Sequence, residues 1–448
     1  MSGDGHIDLA ARLIEAARRA GADQADAMVV GAMSSAVGVQ AHALEEAERA
    51  EATDIGLRVI VGRRQASVSS SDLRDAMLAE MATRAVAMAQ AAPEDPWCGL
   101  ADADEVGGGV DPASLELSDP AEMPDPAALE AIARAAEDAA LGVSGVTQVE
   151  QAAASWSRDL VTILQSNGFS GSYARSSCSV AVSAIAGEGL ARERDWASET
   201  RRFWSDLPGP AVIGKRAGER AAAMLAPRRP PAGRFPVIYD ERVASGLIGH
   251  VLGAINGGAV ARGASWLREG MGTQILPQGF DVTEDPLIVR GRASRPFDAE
   301  GIAAARHVLV EDGVLRSWVL DLATARQLGL ATTGNARRGI SGTPAPGTTN
   351  IRVTQGTCSR EDLIRRMGRG LIVTSFIGAS INPTTGAYSR GASGFWVEGG
   401  EIVHPVNEIT LAGTLPDMLR TIVPANDADP EKAVSVPSLL VEGLTIGA

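Results

Sequence analysis

Residues 243–261 read VASGLIGHVLGAINGGAVA, and this stretch decides how the second half of the chain is organised. On a helical wheel Val243, Leu247, Ile248, Val251, Leu252 and Ile255 share one face. Gly246, Gly249 and Gly253 form a stripe on the other side. Glycine inside a helix costs about 1 kcal/mol relative to alanine, so close packing on that side is the expected compensation. The pattern predicts one helix, Val243 to Ala261, buried on both sides, with Gly249 and Gly253 against backbone or another packed element. Its glycines, with Ser245, His250 and Asn256, fit a buried helix better than a membrane span. His250 flanks the apolar face and reads first as a hydrogen-bonded core histidine, second as a ligand.

Downstream lie short apolar runs separated by glycine and proline, such as PLIVRG, GLIVTSF and GEIVHPV. Glu311-Asp312-Gly313 between HVLV and VLRSWVL is a hairpin signal. Upstream, the prolines of APRRPPAGRFP (226–236) mark a boundary. Before it, helices are predicted over 7–20, 72–91, 126–141 and 209–225. Strands are expected over 30–40, over 55–61 and 65–70 around a turn at Gly62-Arg63-Arg64, and in VTQVEQAAAS, DLVTILQSN and SCSVAVSAIAG. Residues 92–125 have loop composition. The fold class is α+β: an N-terminal α+β domain (1–115), a central α+β domain (116–226), and a sheet-rich C-terminal domain (235–448) around the buried helix.

A chain of 448 residues can bury a large core without disulfides or metals. The net charge of −14 has the wrong sign for a nucleic-acid partner. Nearly all positive charge is arginine, with Lys215 and Lys432 the only lysines. Cys98, Cys178 and Cys358 lie far apart, which indicates no disulfide framework. The start, MSGDGHIDLAARL, has no secretory pattern. A cytoplasmic chain without membrane contact is expected.

The familiar catalytic patterns are missing. His6, His42, His250, His307, His404 and the cysteines never come within 30 positions of one another, so no local zinc motif exists. G-x-S occurs at Ser170, Ser265, Ser380 and Ser393, but never as G-x-S-x-G. Gly214-Lys215 is followed by Arg216, and Gly270-Met-Gly272 and Gly368-Arg-Gly370 lack a third glycine, so no phosphate loop is present. In the segment 378–394, Asn382-Pro383 and Thr385-Gly386 are turn signals. Asn382, Ser389, Arg390 and Ser393 are candidate peptide or partner contacts, weighed against plain turn geometry and a structurally paired arginine.

Several long, collinear blocks resemble the C-terminal domain of the TldD/PmbA metalloprotease family. They are GHVLGAINGGAV, GTQILPQGFDVTEDP, RPFDAEGI, LVEDGVLRSWVLDLATARQLGL, SINPTTGAYSRGASGFWVEGGEIVHPVNEITLAGTLPDM and SLLVEGLTIGA. In that family the TldD-type chain carries an H-E-x-x-x-H helix plus a distant cysteine that bind zinc. Here His250 keeps the first position, Val251 stands at the glutamate and Ile255 at the second histidine. Without the glutamate no general base serves a zinc-bound water, and without the ligands zinc affinity collapses. The resemblance therefore implies a PmbA/TldE-type subunit with no catalytic residue and no cofactor of its own. Zinc is expected only in a TldD-type partner.

The implied activity of the pair is trimming of unfolded or extended peptides, linked to microcin maturation and antitoxin removal. An older family label is modulator of gyrase. Two other readings stay open. One is a stand-alone homodimeric peptide-binding protein without catalysis; the other is a hydrolase with a dispersed site. The resemblance further implies pairing through the C-terminal domain, and the isolated chain is expected to form a two-fold dimer.

Overall fold

The structure is a computed structural model and describes residues 3–447; Met1, Ser2 and Ala448 lie outside the described residues. The chain opens with α1 (Gly3–Ala20), whose apolar stripe Leu9, Leu13, Ala17 is buried. Three strands follow, β1 (Gln24–Gln40), β2 (Ala43–Val61) and β3 (Arg64–Ser70). The turn before β3 uses Gly62 at φ +60°, as its sequence signal requires. After α2 (Asp75–Ala91), residues 92–125 are irregular apart from one short 3₁₀ turn.

The next part holds α3 (Pro126–Leu141), β4 (Val146–Gln165), β5 (Ser170–Ala186), β6 (Glu193–Arg201) and α4 (Pro210–Ala223). VTQVEQAAAS and DLVTILQ, two runs in the sequence, form the single strand β4. Trp156 in the join is buried and pairs with Ser35 and Cys178, so the polar residues around it do not break the ladder. The first two sequence segments share one six-stranded sheet, ordered β3-β2-β1-β4-β5-β6. Ala27 and Val29 of β1 pack on α1 and α2, while Val37 and Val39 pack on α3 and α4. The odd-numbered positions of β1 thus carry all four helices on one face. On α4, Gly214 and Gly218 lie against α3: a Cβ there would come within 1.9 Å of the Ala136 carbonyl oxygen and 2.8 Å of the Ala140 one.

The opposite face meets the last third of the chain. Met28, Val30, Val161, Ile163 and Tyr173 cluster there with Phe169 and Phe297. Gly56 admits the Ile340 carbonyl, which would lie 1.9 Å from any Cβ at that position. Beside it Asp26, wholly buried, accepts Arg58 Nε at 2.6 Å and also pairs with Arg338.

The C-terminal part is sheet-rich. β7 (Gly233–Tyr239) pairs with the strand Gly370–Ile381 on one side and Leu439–Gly447 on the other; Gly370–Ile381 continues through Ala387–Glu398 to Glu401–Thr414, which also pairs with Leu439–Gly447. This closes the sheet, so its strands leave few free edges. A second sheet contains the Glu311–Val314 hairpin, with Asp312 and Gly313 both at positive φ.

The helix at the centre of the domain differs from its sequence reading in two ways. It runs as α5 (Glu241–Ala254) and then stops; α6 (Gly257–Ala261) is separate. Asn256 ends the run because its side chain caps Gly258 N at 3.0 Å. The apolar face is buried as expected, with Leu247, Ile248, Val251 and Ile255 in the main core. The glycine face is not: Gly249 and Gly253 are exposed, and nothing lies within 4 Å of a Cβ built on either. The inference that both sides of this helix are packed is therefore overturned.

Candidate functional site

The bare side of α5 is one wall of a groove. Gly249, His250 and Gly253 face Trp266, Pro383 and Leu415 across a hollow of about 160 Å³. Trp266 also borders a larger cavity of about 480 Å³, lined by Arg268, Glu269, Thr384 and Arg420 among others. Ser265 fixes this wall: its hydroxyl donates to the Ala254 carbonyl at 2.5 Å and accepts from Leu267 N at 2.9 Å. The Trp266 amide donates to the Pro383 carbonyl at 2.9 Å, tying the wall to the turn opposite.

His250 is half-buried, with its ring edge-on to Tyr388 at 5.9 Å between centroids. Burial lowers its pKa, and the nearby Arg390 guanidinium lowers it further. The neutral imidazole is thus favoured. Arg390 stacks on Phe376, 4.1 Å from the ring centroid, and its Nε donates to the Gly378 carbonyl at 3.1 Å. Tyr239 and Tyr388 complete the buried side of the cluster; burial raises both phenol pKa values.

The structure separates the residues singled out in the sequence. Val251 and Ile255 are fully buried hydrocarbon in the main core, not in the groove with His250. Arg390 does reach the His250 cluster. Ser389 lies on the strand face opposite Tyr388 and Arg390 by alternation. Ser393 is buried and donates to Asn407 Oδ1 at 2.7 Å. Asn382 caps its own turn, accepting from Thr384 N and Thr385 N at 2.9 and 3.1 Å. The sequence reading missed Trp266 and Tyr388, which no short motif marks.

A zinc ion does not fit these residues. His250 is one nitrogen donor, its motif partners are alkyl groups, and the neighbouring charge is the Arg390 cation, which opposes a second cation. Among the described residues no three His, Cys, Asp or Glu side chains gather in a metal-binding cluster. What the groove presents instead is the exposed glycine side of α5 and an aromatic wall at Trp266. No described helix is long and apolar enough to cross a membrane.

Comparison with known proteins agrees with this architecture. Residues 232–448 match the PmbA/TldA metallopeptidase C-terminal domain, 118–225 its central domain, and 25–89 its domain 1. By sequence the chain thus falls in the metallopeptidase class. Within that class it belongs to the PmbA/TldD family. The metalloprotease PmbA of Escherichia coli O157:H7 is 36% identical over 393 residues, covering 88% of this chain and 85% of that one. A crystal structure from Bacteroides thetaiotaomicron, described as a candidate modulator of DNA gyrase, superposes with a TM-score of 0.91 at 24% identity, covering 99% of both chains. TldE of Thermococcus kodakarensis shares the fold at a TM-score of 0.85 and 20% identity, covering 98% of this chain and all of that one.

Proposed function

We propose that this chain is the non-catalytic, PmbA/TldE-like subunit of a two-chain metallopeptidase acting on small unfolded peptides. The observation that carries this reading is the fate of the zinc motif. Val251 and Ile255 are 0% exposed and packed in the core, which leaves His250 alone at the groove. A TldD-type partner would supply zinc, its ligands and the general base, while this chain needs no cofactor. Its groove would contribute a wall for the peptide, with Gly249 and Gly253 letting a backbone approach closely.

The test uses this chain and a TldD-type chain from the same host, separately and mixed. Zinc by elemental analysis and cleavage of an unfolded peptide, with and without chelator, are measured for each. Zinc and chelator-sensitive cleavage should follow the partner and the mixture. Stoichiometric zinc in this chain alone, or cleavage by it that a chelator leaves untouched, would overturn the reading.

A further inference from the structure

Outside the groove, with no lining residue in common, a cavity of about 420 Å³ lies between the first sheet and the loops 292–299 and 337–349. Arg175, Arg202, Arg292, Arg295, Arg337 and Arg338 line it, against only Asp54 and Asp298. Arg175 is paired with Asp159 and Arg338 with Asp26. The other four have no ion-pair partner among the described residues.

Two of these four are buried. Arg202 donates only to carbonyls, of Ser176 at 2.8 Å, of Gly291 at 3.4 Å and of Arg292. Arg295 donates to the carbonyls of Ala336 at 2.7 Å and Gly334 at 3.1 Å, and its Nε has no partner. Asp298, the nearby carboxyl, is already occupied by the amides of Glu300, Ile302 and Ala336, and burial raises its pKa. Arg292 and Arg337 stand exposed at the rim. Asp298 attracts Arg295 from nearby without forming an ion pair with it, and Arg202 has only carbonyls in contact; buried guanidinium without a directly paired anion is costly. The cost stands out in a chain whose net charge is −14, where carboxylates are abundant elsewhere.

The rest of the lining is apolar. Met28, Val30, Val161, Ile163 and Phe297 form the floor on the helix-free face of the sheet. The volume is that of a small-ligand site. Arginine forks match planar carboxylates bidentately, and the apolar floor disfavours a fully hydrated ion. We propose that this cavity binds a carboxylate carried on an apolar body, the free C-terminal end of a peptide whose last side chain is apolar. The choice of a peptide rests on the functional reading above; the anion site itself rests on the arginines and the floor.

The experiment is calorimetric titration of the full chain with an acetylated dipeptide ending in leucine, as the free acid and as the amide, and with inorganic phosphate. The acid should bind at least tenfold tighter than either. Exchanging both rim arginines, Arg292→Gln with Arg337→Gln, should weaken the acid about tenfold while leaving the circular dichroism spectrum unchanged. Equal binding of acid and amide would overturn the site but leave the two-chain peptidase reading standing. Phosphate binding as tightly as the acid, undiminished acid affinity in the rim variant, or no saturable binding of the acid would also overturn it.

Discussion

Replacing Asp26 by asparagine tests how the C-terminal part is held on the first sheet. The Asp26 carboxylate is shared by two guanidiniums, with Arg58 Nε at 2.6 Å on one oxygen and Arg338 on the other. The three side chains are 0%, 3% and 1% exposed, so water cannot replace the lost charge. The substituted amide would present a donor to one guanidinium and leave two buried cations together. Each such contact is worth roughly 4 kcal/mol of gross attraction at ~4 Å and an effective dielectric of ~20. The other carboxyl that feels both arginines is Glu300. Burial and the neighbouring Asp298 push its pKa to about 8, so at neutral pH it is mostly protonated and a poor substitute.

Breaking a buried pair by removing one member typically costs about 3–5 kcal/mol, and that is the loss expected for Asp26→Asn in urea unfolding at pH 7. The damage should be local first. Amides 336 and 337, held by Asp298 and by pairing with residues 345–346 next to the Arg338 and Ile340–Gly56 contacts, should lose hydrogen-exchange protection before the closed C-terminal sheet does. Adding Arg338→Met to Asp26→Asn should recover part of the loss, because one stranded cation is gone; the two changes should therefore be non-additive. A loss under about 1 kcal/mol with unchanged protection at 336 and 337 would refute the account.

Other outcomes follow from the same structure. Glu300 has a folded pKa raised from 4.5 to about 8, so the folded state holds a proton that the unfolded state releases between those values. Stability from this group is present below pH 4.5 and is lost as pH rises to about 8. Glu300→Gln should flatten that slope in urea midpoints measured from about pH 5 to 8.5, and an unchanged slope would count against it. Gly249→Ala and Gly253→Ala should each stabilise α5 by up to about 1 kcal/mol, since open space surrounds both. Gly214→Ala should instead destabilise by about 1–3 kcal/mol, because its Cβ meets the Ala136 carbonyl. Light scattering across a dilution series should give twice the mass of 46.3 kDa for the isolated chain; a single-chain mass at micromolar concentration would refute self-pairing.

Much of the fold is legible in the sequence because it depends on local chemistry. The Glu311-Asp312-Gly313 turn and the Gly62 turn need positive φ, which few residues supply cheaply, and so their sequences announce them. Asn256 stands out as a polar residue in an apolar run, but its capping role shows only once the helix end is seen. β4 is less legible: Ser155, Ser157 and Arg158 suggest a gap, yet each pairs on both sides inside a wide sheet. The site is harder still. The arginines of the second cavity come from positions 175 to 338, and no spacing rule links residues brought together by long-range contacts.

The glycines show where sequence reading stops. Gly214-Lys-Arg-Ala-Gly218 and Gly249-His-Val-Leu-Gly253 have the same small-xxx-small spacing on helices of the same length, 14 residues. In the first, the missing side chains let α3 approach to contact with backbone carbonyls. In the second, nothing approaches, and the stripe borders a groove. The helix propensity lost is about the same in both. What compensates differs: packing energy offsets it on α4, while on α5 no intramolecular contact does. An uncompensated cost of this kind, beside His250 and Trp266, is what the proposed role of the groove as a wall for a peptide backbone would account for.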